Sequence, residues 1–482
     1  MAIAAHEPLM YVGGEWIAAG ETRDVVNPAD ESVVGQAAEA SAEHVDRALE
    51  AAKRAQPAWA RMSGIERGAA LRAIAAGIRD HGDELAAIVV GEQGKTIREA
   101  RAEVVGTAGF FDYYATYERG RSGEIFHSDN RREQIQVRTT PYGVVAGIVP
   151  WNFPAAIFAR KVAPAIMAGN TIVLKPHEET PLSALALARV VEQAEVPAGV
   201  VNVVTGAGKV VGDALVRHPL TSLVTVTGSV RAGREILAAA SHAITPVSLE
   251  LGGKAPFIVL GDADLDLAVR DAVAARFWNC GQVCTCNERT YVHRSRYDEF
   301  VERFVAAAGA LRVGDPTSED TDMGPKVSEP EVVKVEDMVR AAVEGGAEVA
   351  LGGGRPQGDA FAKGYWFEPT VLTGVSHDMD VLRSEVFGPV LPIQPIDSFE
   401  EAVELANDSP YGLTAYVYTS DYDSAMRAAE DIDFGEVYIN KIGPEQLQGF
   451  HTGYRNSGMG GDDGPYGYER YLRRKTVYLR HD

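Results

Sequence analysis

Apolar positions along this chain follow two periods. From residue 144 onward, short β-branched runs alternate with stretches whose apolar residues recur at helical spacing. The runs 144–149, 171–174, 200–204, 223–226 and 247–249 read as strands, and 155–167, 181–194, 209–217 and 231–240 as the helices between them. Strand-helix alternation with short connectors predicts a parallel sheet covered by helices on both faces. Ahead of it, the alanine-rich segments 42–60, 65–81 and 84–117 are predicted to be helices packed on that sheet. A second αβ pattern follows residue 250, with helices over 265–278, 296–310, 329–344 and 398–406 and strands over 290–293, 370–373, 390–396 and 414–419. Segments 134–139 and 475–480 alternate as half-exposed strands do but fit neither pattern. Long unpaired edge strands invite association, so both are expected to pair across subunits.

At 482 residues the chain exceeds the ~250–300 at which one hydrophobic core stops growing, so two or more domains are expected. Its 46% apolar and 24% charged content is that of an ordinary globular protein. The 68 acidic residues outnumber the 46 basic ones, a net charge of −22 that repels nucleic acid and anionic lipid surfaces. The amino terminus has no basic start or apolar signal-like run, and no stretch approaches the ~20 apolar residues of a membrane span, which points to the cytoplasm. Cys280, Cys284 and Cys286 are the only cysteines, useless as a disulfide framework for a chain this long. Their spacing matches neither paired zinc ligands nor common cluster motifs.

The chemistry concentrates in a few motifs. Phe277-Trp278-Asn279-Cys280-Gly281-Gln282-Val283-Cys284 sets a cysteine behind a Gly-Gln turn, and Glu250-Leu251-Gly252-Gly253-Lys254 places an acid before glycines. A thiolate attacks a carbonyl well, and a nearby carboxylate can activate water to release what was captured. Pro150-Trp151-Asn152-Phe153-Pro154 follows a strand and frames an asparagine amide between prolines. Gly206-Ala207-Gly208 suggests a dinucleotide fingerprint, but the third glycine, Gly212, comes one residue late, leaving a tight turn and phosphate contact equally open. Thr227-Gly228-Ser229 opens a helix after a strand, where amides and a hydroxyl suit a pyrophosphate or simple capping. In Lys175-Pro176-His177-Glu178 the carboxylate suits ribose hydroxyls and would repel a 2′-phosphate, favouring NAD over NADP.

Together these motifs resemble the aldehyde dehydrogenase superfamily, from Tyr11-Val12-Gly13-Gly14-Glu15-Trp16 to the terminal strand at Lys475. The resemblance implies a Rossmann-like parallel-sheet NAD-binding domain (1–120 and 141–249), an α/β catalytic domain (250–460) and a small β oligomerisation arm (121–140 and 461–482). It implies Cys284 as nucleophile, Glu250 as general base and Asn152, with the Cys284 amide, as oxyanion hole. Lys175, Glu178, Gly228 and Ser229 would hold NAD, with Pro150 and Trp151 beside them. Glu385-Val386-Phe387-Gly388-Pro389 matches a further motif in which Glu385 binds the nicotinamide ribose and Phe387 packs by the ring. Glu250 favours a hydrolytic enzyme over one that passes its acyl group to coenzyme A. His177 and Val226 replace the serine and phenylalanine frequent in the family. Pro465 stands where many relatives carry a relay glutamate, leaving water activation to Glu250 and solvent.

Within the superfamily, Arg160, Glu445 and His451 resemble the residues with which lactaldehyde (glycolaldehyde) dehydrogenases contact their substrate. A short α-hydroxyaldehyde needs such polar partners, since it offers little apolar area to bury. A broader oxidiser of aliphatic, aromatic or semialdehyde substrates is the alternative. A thiol hydrolase or acyltransferase using Cys284 with His293 is the rival from another class. Relatives imply a homo-oligomer, tetramer or dimer.

Overall fold

The computed structural model describes residues 7–120 and 122–481. Residues 1–6, 121 and 482, which the expected domain bounds take in, lie outside the described residues.

An eight-stranded sheet is built on four parallel strands, Val247–Glu250, Leu223–Thr227, Val144–Ile148 and Thr171–Lys175, side by side in that order. Val201–Val203 extends it in parallel, and Leu9–Val12, Glu15–Ala18 and Gly458–Met459 close its edges antiparallel. Helices Pro154–Met167, Leu182–Gln193 and Val230–Ala240 cross between its strands as the strand-helix alternation predicts. Burial on both faces explains why these strands read as continuous apolar runs. The predicted 209–217 helix begins with a single π turn, Gly208–Gly212, before Asp213–Arg217.

A second, seven-stranded sheet takes Glu348–Leu351, Thr370–Thr373, Val390–Ile396, Asn287–His293, Ala255–Val259, Thr414–Tyr418 and Glu436–Ile439 in that order. Each sheet has its own apolar clusters: Phe158, Leu174 and Leu185 belong to the first, Phe257, Phe300 and Tyr416 to the second.

Two expectations are corrected. The predicted 84–117 helix is two helices, Gly82–Gln93 and Ile97–Ala115. Gly94 adopts φ 88°, a left-handed cap that glycine takes without steric cost, and Thr96 restarts the chain with a capping box to Glu99. The segments expected to pair across subunits instead pair with each other, Leu472–Arg480 antiparallel to Glu133–Pro141, with Gly123–His127 on the far side. Among the described residues no helix is long and apolar enough to cross a membrane.

Candidate active site

Register brings the motifs to one edge. In the first sheet Ile148 lies opposite Lys175 on one side and Val226 on the other, and Thr227 lies opposite Glu250. The carboxyl ends of four parallel strands therefore open onto a common crevice, where such sheets take their ligands.

Asn152 sits in the turn after strand Val144–Ile148, buried, with its side-chain amide donating to the Gln282 carbonyl at 3.0 Å. That bond ties it to the loop carrying Cys284. The loop leaves helix Leu265–Phe277 through three successive left-handed residues, Asn279, Cys280 and Gly281, at φ 50°, 55° and 70°. It then enters strand Asn287–His293. Cys284 alone of the three free cysteines is partly exposed; burial pushes the Cys280 and Cys286 thiols up to about 12, leaving them inert as nucleophiles. Gly253 lets the Glu250 segment pass this loop, for a Cβ there would sit 2.6 Å from the Cys284 carbonyl.

Glu250 ends its strand almost fully buried, and neither carboxylate oxygen has a hydrogen-bond partner. Burial lifts its carboxyl well above the ordinary range; His451 opposes that lift and Asp462 adds to it. His451, also buried, presents Nε2 3.7 Å from Glu250 and Nδ1 3.3 Å from Glu436, ion-pair distances, with Nδ1 lacking hydrogen-bond alignment. Burial disfavours a charged imidazole, but Glu436, the Cys284 thiol within bonding reach and Glu445 outweigh it and raise His451 well above its usual value. Arg160 pairs with Glu445 and, at 2.8 Å, with Asp463. Burial works against ionisation of Glu445, yet Arg160 and His451 hold its carboxyl down at about 2. Arg160, Glu445 and His451 thus stand together, with His451 linking them to Cys284 and Glu250.

The Lys161–Asp462 pair, 2.5 Å apart and buried, went unread in the sequence. Both members act on the Glu250 charge, Asp462 raising its carboxyl and Lys161 lowering it. Asp462 and Asp463 pack against helix Pro154–Met167 through these pairs, whereas the three-stranded sheet takes only Leu472–Arg480 from the expected 461–482 arm. Partners about 300 positions apart leave no local spacing to read.

The imidazole beside Cys284 is His451 and not His293. His293 caps helix Arg294–Gly309 through the Ser295 amide. It ends a seven-residue strand whose other end adjoins the cysteine loop, roughly 20 Å away. The Cys284/His293 hydrolase reading is withdrawn on that distance.

Along the crevice, Lys175 Nζ donates to the Pro176 carbonyl (2.9 Å) and to Glu178 (3.2 Å). The other Glu178 oxygen accepts from the Gly208 amide at 2.7 Å. Burial alone would raise this carboxyl, but Lys175 and the Gly208 amide help hold it at about 2. Ser229 caps helix Val230–Ala240 by accepting from the Ala232 amide, while Gly228 donates to the Glu250 carbonyl at 3.0 Å. The Thr227 hydroxyl is buried without a partner, and a Cβ on Gly228 would meet nothing nearer than Ala232 at 4.0 Å. His177 is held down at about 4 by burial, and Val226 packs in the sheet core. Glu385 accepts from the Gly253 amide at 2.8 Å, its carboxyl pushed up to about 7 by burial and by Glu288. Phe387 meets Trp151, which follows Pro150, edge to face with ring centroids 5.3 Å apart. Room above a helix start, an orphaned hydroxyl and a charged carboxylate with its lysine fit a dinucleotide.

A partly exposed thiol, an amide donor and a buried carboxylate beside a crevice that fits a dinucleotide are the parts of an oxidoreductase site. Residues 16–477 match the aldehyde dehydrogenase family model, and the chain belongs to the aldehyde dehydrogenase family, an oxidoreductase of the NAD(P)-dependent kind. It is 55% identical to 3,6-anhydro-alpha-L-galactose dehydrogenase of Streptomyces coelicolor, covering 98% of this chain and 96% of that one. To lactaldehyde dehydrogenase of Escherichia coli it is 46% identical over the whole of both. A solved 3,6-anhydro-L-galactose dehydrogenase in complex with NAP superposes with a TM-score of 0.96 at 48% identity, covering 98% and 99% of the two chains.

Proposed function

We propose that this enzyme oxidises an α-hydroxyaldehyde to its carboxylate with NAD, through a thioester on Cys284. The observation that carries the reading is the convergence of Cys284, Asn152 and Glu250 with the Arg160–Glu445–Asp463 and His451 cluster. The Cys284 thiolate attacks the aldehyde carbon. Asn152 spends one amide hydrogen on Gln282, which leaves the second, with the Cys284 amide, for the developing oxyanion. Hydride acceptance is the chemistry an oxidised nicotinamide supplies when bound. Glu250 then takes a proton from water, whose oxygen attacks the thioester carbon; the carboxylate leaves and the thiol is restored.

Lys175, Glu178, Gly228 and Ser229 would hold the adenosine and pyrophosphate side, and Trp151, Glu385 and Phe387 the nicotinamide side. A Glu178 carboxylate kept charged by Lys175 favours free ribose hydroxyls over a 2′-phosphate. Lactaldehyde and 3,6-anhydrogalactose share a hydroxyl on the carbon next to the aldehyde. Arg160, Glu445 and His451 offer a donor, an acceptor and a charged imidazole for it. The 55% identity to an anhydrogalactose dehydrogenase makes that sugar a second candidate beside lactaldehyde and glycolaldehyde.

Initial rates of nicotinamide reduction on lactaldehyde, glycolaldehyde, 3,6-anhydro-L-galactose, propanal and benzaldehyde, each with NAD and NADP, test the reading. The hydroxylated substrates with NAD are expected to lead in kcat/KM. Equal rates on propanal would reject the α-hydroxyl requirement.

A further inference from the structure

Helix Pro154–Met167 begins at the oxyanion turn with an N-cap, Phe153, that has no side-chain acceptor to offer its first amides. The acceptor comes from another helix. Glu103 of helix Ile97–Ala115 takes the Ala155 and Ala156 amides at 2.9 and 3.1 Å, on the positions an N-cap side chain ordinarily serves. Its second oxygen binds Lys95 Nζ at 2.6 Å, and Lys95 donates in turn to the Asn152 carbonyl at 2.8 Å. Both side chains are wholly buried, and the ammonium also lies 3.8 Å over the Phe153 ring. The pair thus brackets Asn152, holding the carbonyl on one side of the turn and the amides on the other. One helical turn back, Glu99 accepts from the Asn279 amide at 2.7 Å, at the first left-handed residue of the cysteine loop. The Asn279 side chain donates to the same Asn152 carbonyl at 2.9 Å.

We propose that Lys95 and Glu103 are positioning residues for the reaction: their buried pair fixes the turn that aims the Asn152 amide, on the helix whose Glu99 holds the Cys284 loop. A buried ion pair is weak evidence of stabilisation, and an apolar pair of like volume packs as well or better. What an apolar pair does not supply is a donor and an acceptor for the two halves of this turn. Misplacing a catalytic group by about 1 Å costs on the order of 100-fold in rate.

This inference rests on Asn152 as oxyanion donor, and a double-mutant cycle separates the two claims. Asn152→Ala, Glu103→Gln, Lys95→Met and each pairing with Asn152→Ala are compared by the rate of the first hydride burst, with KM for NAD and melting temperature alongside. Glu103→Gln and Lys95→Met are expected to slow the burst about 10- to 100-fold with KM for NAD within about twofold. In the Asn152→Ala background each should cost less than about twofold, because the amide they aim is gone. Losses that multiply undiminished in that background, or single variants with a normal burst, would overturn the inference and leave the oxyanion reading standing. A full burst in Asn152→Ala overturns both. Should Lys95→Met fail to fold, Glu103→Gln, equal in size and neutral, carries the same cycle.

Discussion

At the residue scale the site turns on charges kept away from water. Glu250 must be ionised to act as a base, yet burial holds its proton on above the usual carboxylate value of about 4.3. Thioester hydrolysis should therefore rise with pH through the neutral-to-alkaline range. In Glu250→Gln a rapid burst of reduced cofactor should be followed by a stall at the acyl-enzyme; normal steady turnover in that variant would remove the base assignment. A positive His451 pulls the Glu250 value down, so His451→Asn should move the alkaline limb of kcat to higher pH. An unmoved limb would separate the two groups. Glu178→Gln removes the carboxylate proposed to face the ribose and should raise kcat/KM with NADP relative to NAD about tenfold, near 1.4 kcal/mol. Cys284, Glu250 and Asn152 were legible because each sits in a short run with a chemical signature. Lys161, Asp462, Glu436 and the Lys95–Glu103 pair were not, because their role comes from a partner remote in the chain.

At the scale of elements, the cysteine loop is held by its surroundings more than by its own preferences. Arg276 donates to the Gly281 carbonyl at 2.8 Å and pairs with Glu288, which also takes the Val386 and Phe387 amides and the Lys254 ammonium. Gly281 itself sits at φ 70°, and a Cβ there would lie 2.3 Å from the Gly388 carbonyl. Gly281→Ala should thus displace both this loop and the Glu385–Phe387 turn. A stability loss of about 1–3 kcal/mol, read by chemical denaturation, and a weaker KM for NAD are expected together. A variant as stable as the parent would mean the turn yields freely. The same scale explains what periodicity revealed and what it hid. Parallel strands and their crossover helices stood out because buried strands are continuous apolar runs. Helical spacing continued across Gly94 to Thr96, so two helices read as one. Strand Ala255–Val259 escaped because Pro256 interrupts its short apolar run.

For the whole molecule, the three-stranded sheet is the unexplained surface. Register sets Phe126 opposite Ile135 and Ile135 opposite Tyr478, a row of large apolar side chains across one face. Phe126 is 49% and Tyr478 67% exposed, on the two outer strands of the sheet. A row of this kind is covered most simply by a second copy of the chain, which is how we interpret the expected dimer or tetramer. Phe126→Lys with Tyr478→Lys should then lower the mass measured by light scattering at micromolar concentration; an unchanged mass would remove the arm from the assembly. The chemistry should outlive the dissociation. Cys284, Asn152, Glu250, His451 and the Lys95–Glu103 bracket all come from one chain, so the separated protomer should retain its hydride burst while its melting temperature falls. Loss of burst and mass together, with the protomer still folded by circular dichroism, would instead show that the partner chain holds the crevice in shape.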